Sequence, residues 1–115
     1  MTFGERLREL RLDRDLNQRK LAGQVGINFT YLSKIETGKL SPPSQETINK
    51  LADALDADAD ELLILANKVP DDVKDVITES TEIPAFLRQI RDLDTEKRGE
   101  LKRYIEQLRS KRSNE

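Results

Sequence analysis

The sequence predicts an all-α protein, with five short helices packed as one domain and a helical extension behind them. Three observations carry this expectation. Among the 115 residues, 37% are charged and only 4% aromatic, and the abundance of Leu, Ala, Glu, Lys and Arg favours helix over strand. Apolar residues recur every three or four positions instead of alternating. Side chains that cap helices precede most of these stretches, and glycine or proline closes several of them. A hydrophobic content of 36% suffices for a modest core.

Thr2 and Glu5 have the spacing of a capping box, and Phe3, Leu7 and Leu10 follow at helical intervals. The first helix therefore runs from about residue 3 to Asp13 or Arg14. Asn17 caps a second helix, about 18 to 25, with Leu21, Ala22 and Val25 facing inward and Gly26 in the left-handed position behind it. Asn28 caps a third, about 29 to 36, with Leu32 and Ile35 inward and Gly38 at its end. The turn KLSPPS excludes helix, because two prolines remove donors and restrict the residues before them. Ser44 then caps a fourth helix, about 45 to 55, with Ile48, Leu51, Ala52 and Leu55 inward. Asp58 and Glu61 open a fifth, about 59 to 67, with Leu62, Leu63 and Leu65 available for the core.

Residues 68 to 115 form a separate C-terminal helical region behind the domain of residues 1 to 67. Pro70 starts a short connecting helix. Two amphipathic segments follow. Ile83, Phe86, Leu87, Ile90 and Leu93 make one apolar stripe, and Leu101, Tyr104, Ile105 and Leu108 make another after a cap at Asp94 or Thr95. Such narrow stripes need a surface to cover them: each other, the first domain or another subunit. The end, SKRSNE, reads as frayed.

The chain contains no cysteine and no histidine. This removes soft metal ligands, thiol nucleophiles and the side chain most used for proton transfer near neutral pH. An enzyme is not expected, nor any metal or cofactor. Asp56, Asp58, Asp60 and Glu61 cluster, but they lack the glycine and distal glutamate of a calcium loop, and helix capping explains them. The N-terminus has no apolar signal core and no run is long enough for a membrane span, so a soluble, cytoplasmic protein without a membrane partner is expected.

A net charge of -2 conceals segregation. Residues 1 to 40 carry eight Lys/Arg against five Asp/Glu, residues 41 to 80 three against ten, and residues 81 to 115 nine against seven. A basic face can thus steer toward phosphates while an acidic one faces away.

The stretch LNQRKLAGQVGINFTYLSKIETGKLSPPSQETINKLADAL resembles the phage-repressor and Cro-like, or XRE-type, helix-turn-helix regulators. Gln18, Leu21, Ala22, Gly26, Ile27, Leu32, Ile35, Glu36 and Gly38 fall where that pattern expects them, and the resemblance covers about residues 3 to 65. It implies a lambda-repressor-like DNA-binding domain. The spacing also has a physical sense: Ala22 and Gly26 are small where the second and third helices approach, so the two can cross at a wide angle. The third helix then projects Phe29, Thr30, Ser33 and Lys34 into the major groove of double-stranded DNA.

Each of these residues has a plainer alternative. Phe29 either touches a thymine methyl or folds back as a hydrophobic cover. Thr30 and Ser33 predict contact but not which base. Lys34 bonds guanine or a phosphate, or is simply solvated. Gln18 resembles the family residue that bonds a phosphate and braces the first base contact; an ordinary helix-start glutamine is the alternative. Asn17, Arg19, Tyr31, Thr37 and Lys39 are the expected phosphate contacts, and Arg19 equally reads as a surface charge. The resemblance further implies a semi-buried structural salt bridge between Arg11 and Glu36. Asp56 departs from the family, which usually has glycine there, but aspartate enters the left-handed region at modest cost.

One small module contacts few bases, so a repressor of this kind is expected to bind as a homodimer to a two-fold symmetric operator, its half-sites about 34 Å apart. Ile83, Phe86, Leu87, Ile90, Leu101, Tyr104, Ile105 and Leu108 supply the dimer contact in this reading. The alternative is an interaction protein, such as an antitoxin, whose C-terminal helices hold a protein partner, a toxin or a regulatory protease, while the N-terminal domain autoregulates.

Overall fold

A computed structural model describes residues 1–113. They form α1 (Phe3–Asp13), α2 (Gln18–Val25), α3 (Phe29–Glu36), α4 (Gln45–Leu55), α5 (Ala59–Leu65), α6 (Asp71–Ile77), α7 (Glu82–Arg91) and α8 (Thr95–Ser113), with no strand among them. The chain divides into two compact units, Met1–Asp71 and Asp72–Glu115.

The first unit begins its helices with side-chain caps. Thr2 Oγ1 accepts from the Glu5 backbone N–H and Glu5 Oε2 accepts from that of Thr2, both at 3.1 Å, which completes the capping box. Asn17 caps α2, Asn28 caps α3, Ser44 caps α4 and Asp58 caps α5. At the other ends a single device recurs. Asp15, Gly26, Gly38, Asp56 and Asn67 all have positive φ, between 51° and 81°. In each case the next N–H turns back onto the helix: Leu16 onto the Arg11 carbonyl, Ile27 onto Ala22, Lys39 onto Lys34, Ala57 onto Ala52 and Lys68 onto Leu63. Carbonyls that a helix end leaves orphaned are satisfied this way.

Asn67 therefore shortens the fifth helix relative to the sequence expectation. The helix ends at Leu65, and Ala66 and Asn67 make the turn, because asparagine tolerates the left-handed conformation that breaks the ladder.

These five helices bury one core of Phe3, Leu7, Leu21, Ala22, Val25, Leu32, Ile35, Ile48, Leu51, Ala52, Leu55, Leu62 and Leu63. α2 packs on α3 and α4, α1 on α3 and α5, and α4 on α5. The central position of α3 is set by Leu32, which is fully buried, so truncating it to alanine costs roughly 2–5 kcal/mol. Leu10 and Leu65, expected inward, are only half-buried at the edge of this core.

Two glycines divide the work differently from the sequence expectation. A Cβ on Gly26 meets nothing within 4 Å, so this glycine is needed for its φ of 81° and not for clearance between helices. Clearance is required at Gly4, where a Cβ would lie 2.5 Å from the Ile35 carbonyl oxygen and 2.6 Å from that of Glu36. The start of α1 thus rests directly on the backbone at the end of α3.

In the second unit, Asp94 settles the cap of α8, accepting from the Lys97 backbone N–H at 2.8 Å. Arg98 reaches back from α8 to the end of α7, donating from Nε to the Ile90 carbonyl at 3.2 Å and from Nη2 to that of Arg91 at 3.1 Å. Helix α8 continues through Ser113, farther than the frayed end expected there; Asn114 and Glu115 lie outside the described residues. The apolar stripes stay open: Phe86, Leu87, Tyr104, Ile105 and Leu108 are between 39% and 57% exposed, and Ile83, Ile90 and Leu101 are half-buried. No helix among the described residues is long and apolar enough to cross a membrane.

Candidate nucleic-acid interface

The first turns of α2 and α3 define the site, and their sequence sets its electrostatics. Each peptide dipole adds positive potential at a helix N-terminus, and α1, α4 and α5 offset it with acids in the first turn. α2 and α3 have none. Arg19 and Lys20 instead add charge of the same sign at the start of α2. Several basic residues elsewhere in this unit are neutralised, Arg6 by Glu61 and Glu9, Arg11 by Glu36, Arg14 by Asp56 and Lys50 by Glu46, whereas Arg8 and Lys68 have no carboxylate partner among the described residues. The hydrogen bond to Glu61 is the chief cause that pushes the Arg6 pKa up. Among the described residues no carboxylate pairs with Arg19, Lys20, Lys34 or Lys39.

Phe29, Thr30 and Lys34 are exposed on α3 and Ser33 is half-buried. Their backbone placement follows from Asn28, whose Oδ1 accepts from the N–H of Thr30 at 2.7 Å and of Tyr31 at 3.4 Å. Asn17 does the same for Lys20 at 2.8 Å, so its amide nitrogen is the part left for an outside acceptor. Tyr31 is half-buried and packs against the core. The Thr37 hydroxyl lies within reach of the Ser33 carbonyl at 3.1 Å and the Lys34 carbonyl at 3.3 Å. Since a phosphate only accepts, a phosphate contact by Thr37 requires this hydroxyl to leave its own helix. Lys39 is exposed just past the left-handed Gly38.

Phe29 neither stands free nor folds into the core. The Arg19 guanidinium carbon sits 4.6 Å from its ring centroid, a cation–π contact that joins the first turn of α2 to that of α3.

Behind this surface lies a buried polar network. Arg11 donates to both Glu36 oxygens, from Nε at 2.8 Å and from Nη2 at 3.0 Å, and its Nη1 reaches the Leu16 carbonyl at 2.8 Å. Gln18 Nε2 donates to Glu36 Oε1 at 3.0 Å. Arg11 and Glu36 are 7% and 6% exposed, and among the described residues no buried side-chain N or O atom lacks a partner. A buried pair with every hydrogen bond made is rigid; the same pair with one member missing leaves a costly charge. One network thus fixes α1, the turn behind it, the start of α2 and the end of α3. Of Gln18, one N–H and the amide oxygen remain for an outside partner.

Sequence reasoning missed Gly4 and the Arg19–Phe29 contact. Glycine in the first turn of a helix of otherwise strong formers was the available signal for the first. Nothing in residue spacing marks the second, because residues 19 and 29 meet only when two helices cross.

Two short helices joined by a glycine turn, the second presenting polar and aromatic side chains from its first turns, define a helix-turn-helix unit. The chain belongs to the helix-turn-helix domain family, which matches residues 2–63, and is of the XRE type. It is 46% identical over 54 residues to the transcriptional repressor RghR of Bacillus subtilis, covering 47% of this chain and 40% of that protein. It is 29% identical over 108 residues to the phage CTXphi transcriptional repressor RstR of Vibrio cholerae, covering 94% of this chain and 88% of RstR. Among solved structures it is similar to SinR, the master regulator for biofilm formation, in complex with DNA: TM-score 0.52 and 29% identity over 54% of this chain and 98% of that one. The chain spans about half the length of the curated B. subtilis relatives it matches.

Proposed function

We propose that this protein is a sequence-specific DNA-binding transcriptional regulator of the cytoplasm, a repressor that binds a two-fold symmetric operator as a homodimer with α3 in the major groove. The observation that carries the reading is the cluster of unpaired cations at two helix starts without first-turn acids: Arg19, Lys20, Lys34 and Lys39 on α2, α3 and the following turn have no carboxylate partner among the described residues, whereas Arg6, Arg11, Arg14 and Lys50 elsewhere in the first unit are paired. Phosphates are the natural counter-charge for such a surface. Likeness to RghR, RstR and SinR supports it. Gln18, Phe29, Thr30, Ser33 and Lys34 face the bases in this reading, while Asn17, Arg19, Tyr31, Thr37 and Lys39 hold phosphates.

The open stripes of α7 and α8 support self-association through Ile83, Phe86, Leu87, Ile90, Leu101, Tyr104, Ile105 and Leu108. The same exposure favours a second reading, in which a protein partner, a toxin or a regulatory protease, covers the stripe. Co-purification of a small partner in place of a homodimer separates the two.

Salt titration tests the DNA reading. If about four phosphates are neutralised per subunit, log K of a dimer falls against log salt with a slope of roughly -7. A slope near zero overturns it.

A further inference from the structure

We propose that Arg19 reads a base, guanine, and that Phe29 is the positioning residue that aims it. This rests on the DNA-binding reading above and changes the work of two residues within it. Arg19 occupies an unfavourable place in the free protein: it is a cation in the first turn of α2, at the positive end of the helix dipole, beside Lys20 and without a carboxylate partner among the described residues. What holds it is the ring of Phe29, 4.6 Å below the guanidinium carbon. Phe29 opens α3, the helix that faces the groove in this reading, so the contact brings a cation of α2 to the start of α3.

Stacking is selective in what it leaves free. A ring stacked on a planar guanidinium covers only one face, whereas the N–H donors lie in the plane and remain available as a fork. That fork matches the O6 and N7 acceptors of guanine in the major groove, and a stacked guanidinium loses less freedom on binding than a solvated one. Phe29, with Arg19 on its ring, serves as a platform and not as the reader of a thymine methyl.

Lysine keeps the charge of Arg19 but not the fork, which makes the proposal testable. Bound sites are selected from random duplex DNA with the full chain, and affinities for the selected site and its single-base-pair variants are then measured. For Arg19→Lys we expect a loss of about tenfold or more in discrimination at one G·C pair, with the rest of the preference intact. Phe29→Leu removes the ring but keeps an apolar cover; it loses discrimination at that same pair and adds nothing in the Arg19→Lys background. Phe29→Tyr, which keeps the ring, behaves as the parent.

Uniform weakening by Arg19→Lys on every site assigns Arg19 to a phosphate and overturns the proposal. Loss by Phe29→Leu at a different base pair, or equal damage from Phe29→Tyr, overturns it as well. If the parent chain selects no sequence at all, the DNA-binding reading falls with it; a selected operator that ignores Arg19→Lys sinks this inference alone. Unchanged thermal unfolding of each variant separates reading from folding.

Discussion

Gln18 donates its side-chain amide to Glu36 Oε1 at 3.0 Å, so the first residue of α2 is tied to the last residue of α3. Arg11 holds the same carboxylate from the opposite helix. The two helices proposed to meet DNA are thus locked at one buried anion, not only by apolar contact. Removing that anion leaves Arg11 buried and unpaired. Glu36→Ala should lose roughly 3–5 kcal/mol, and Gln18→Ala, which deletes one neutral donor, only about 1 kcal/mol. Urea denaturation measures both, and an unchanged midpoint for Glu36→Ala contradicts the structural role of the pair.

Gly4 and Gly26 should fail for different reasons. At Gly4 a methyl group runs into backbone oxygens of α3, so α1 must move and the loss is about 1–3 kcal/mol. At Gly26 the space is open and only the left-handed backbone resists, at about 1–2 kcal/mol. Asparagine distinguishes them. Gly26→Asn should recover much of the stability lost in Gly26→Ala, while Gly4→Asn recovers none; thermal melting of the four variants provides the comparison.

Lys34 and Lys39 bear the same charge but occupy different places, one within α3 and one past its end. Lys34→Ala should reduce discrimination between operators, and Lys39→Ala should weaken all sequences about equally, lowering the magnitude of the salt slope by about one per site. Equal loss on every sequence for both variants removes the base-reading role of Lys34.

Charging the open stripe tests the proposed assembly. Phe86→Asp combined with Leu87→Asp should convert a dimer into a monomer in sedimentation at micromolar concentration, with little effect on the unfolding of the first unit. Neither side chain is buried within its own chain. A parent protein that sediments as a monomer removes the homodimer.

Most of this architecture is local and was therefore legible. Thr2, Asn17, Asn28, Ser44 and Asp58 announce helix starts within three residues of chain, and Gly26, Gly38 and Asp56 announce stops. The stop at Asn67 is less legible, because asparagine signals a left-handed turn less strongly than glycine does. What stayed hidden depends on helix crossing. The demand on Gly4 is imposed by two carbonyls more than thirty residues away, and Phe29 acquires its partner from α2. The start of α3 was legible because Asn28 caps it, and that start fixes Phe29, Thr30, Ser33 and Lys34 as the leading candidates for contact.

The left-handed stops have a kinetic meaning. Each helix of the first unit carries its own beginning and end within a few residues, so its length is decided before it meets a neighbour. Chains built from such short-range contacts fold in about microseconds to milliseconds, without searching among registers. The second unit differs, since none of its described side chains from residue 72 onward is buried. Formation of the first unit is a first-order event, independent of how many copies surround it. The proposed covering of the second unit's stripe by another copy would instead be second-order, with a pace set by the concentration of the protein.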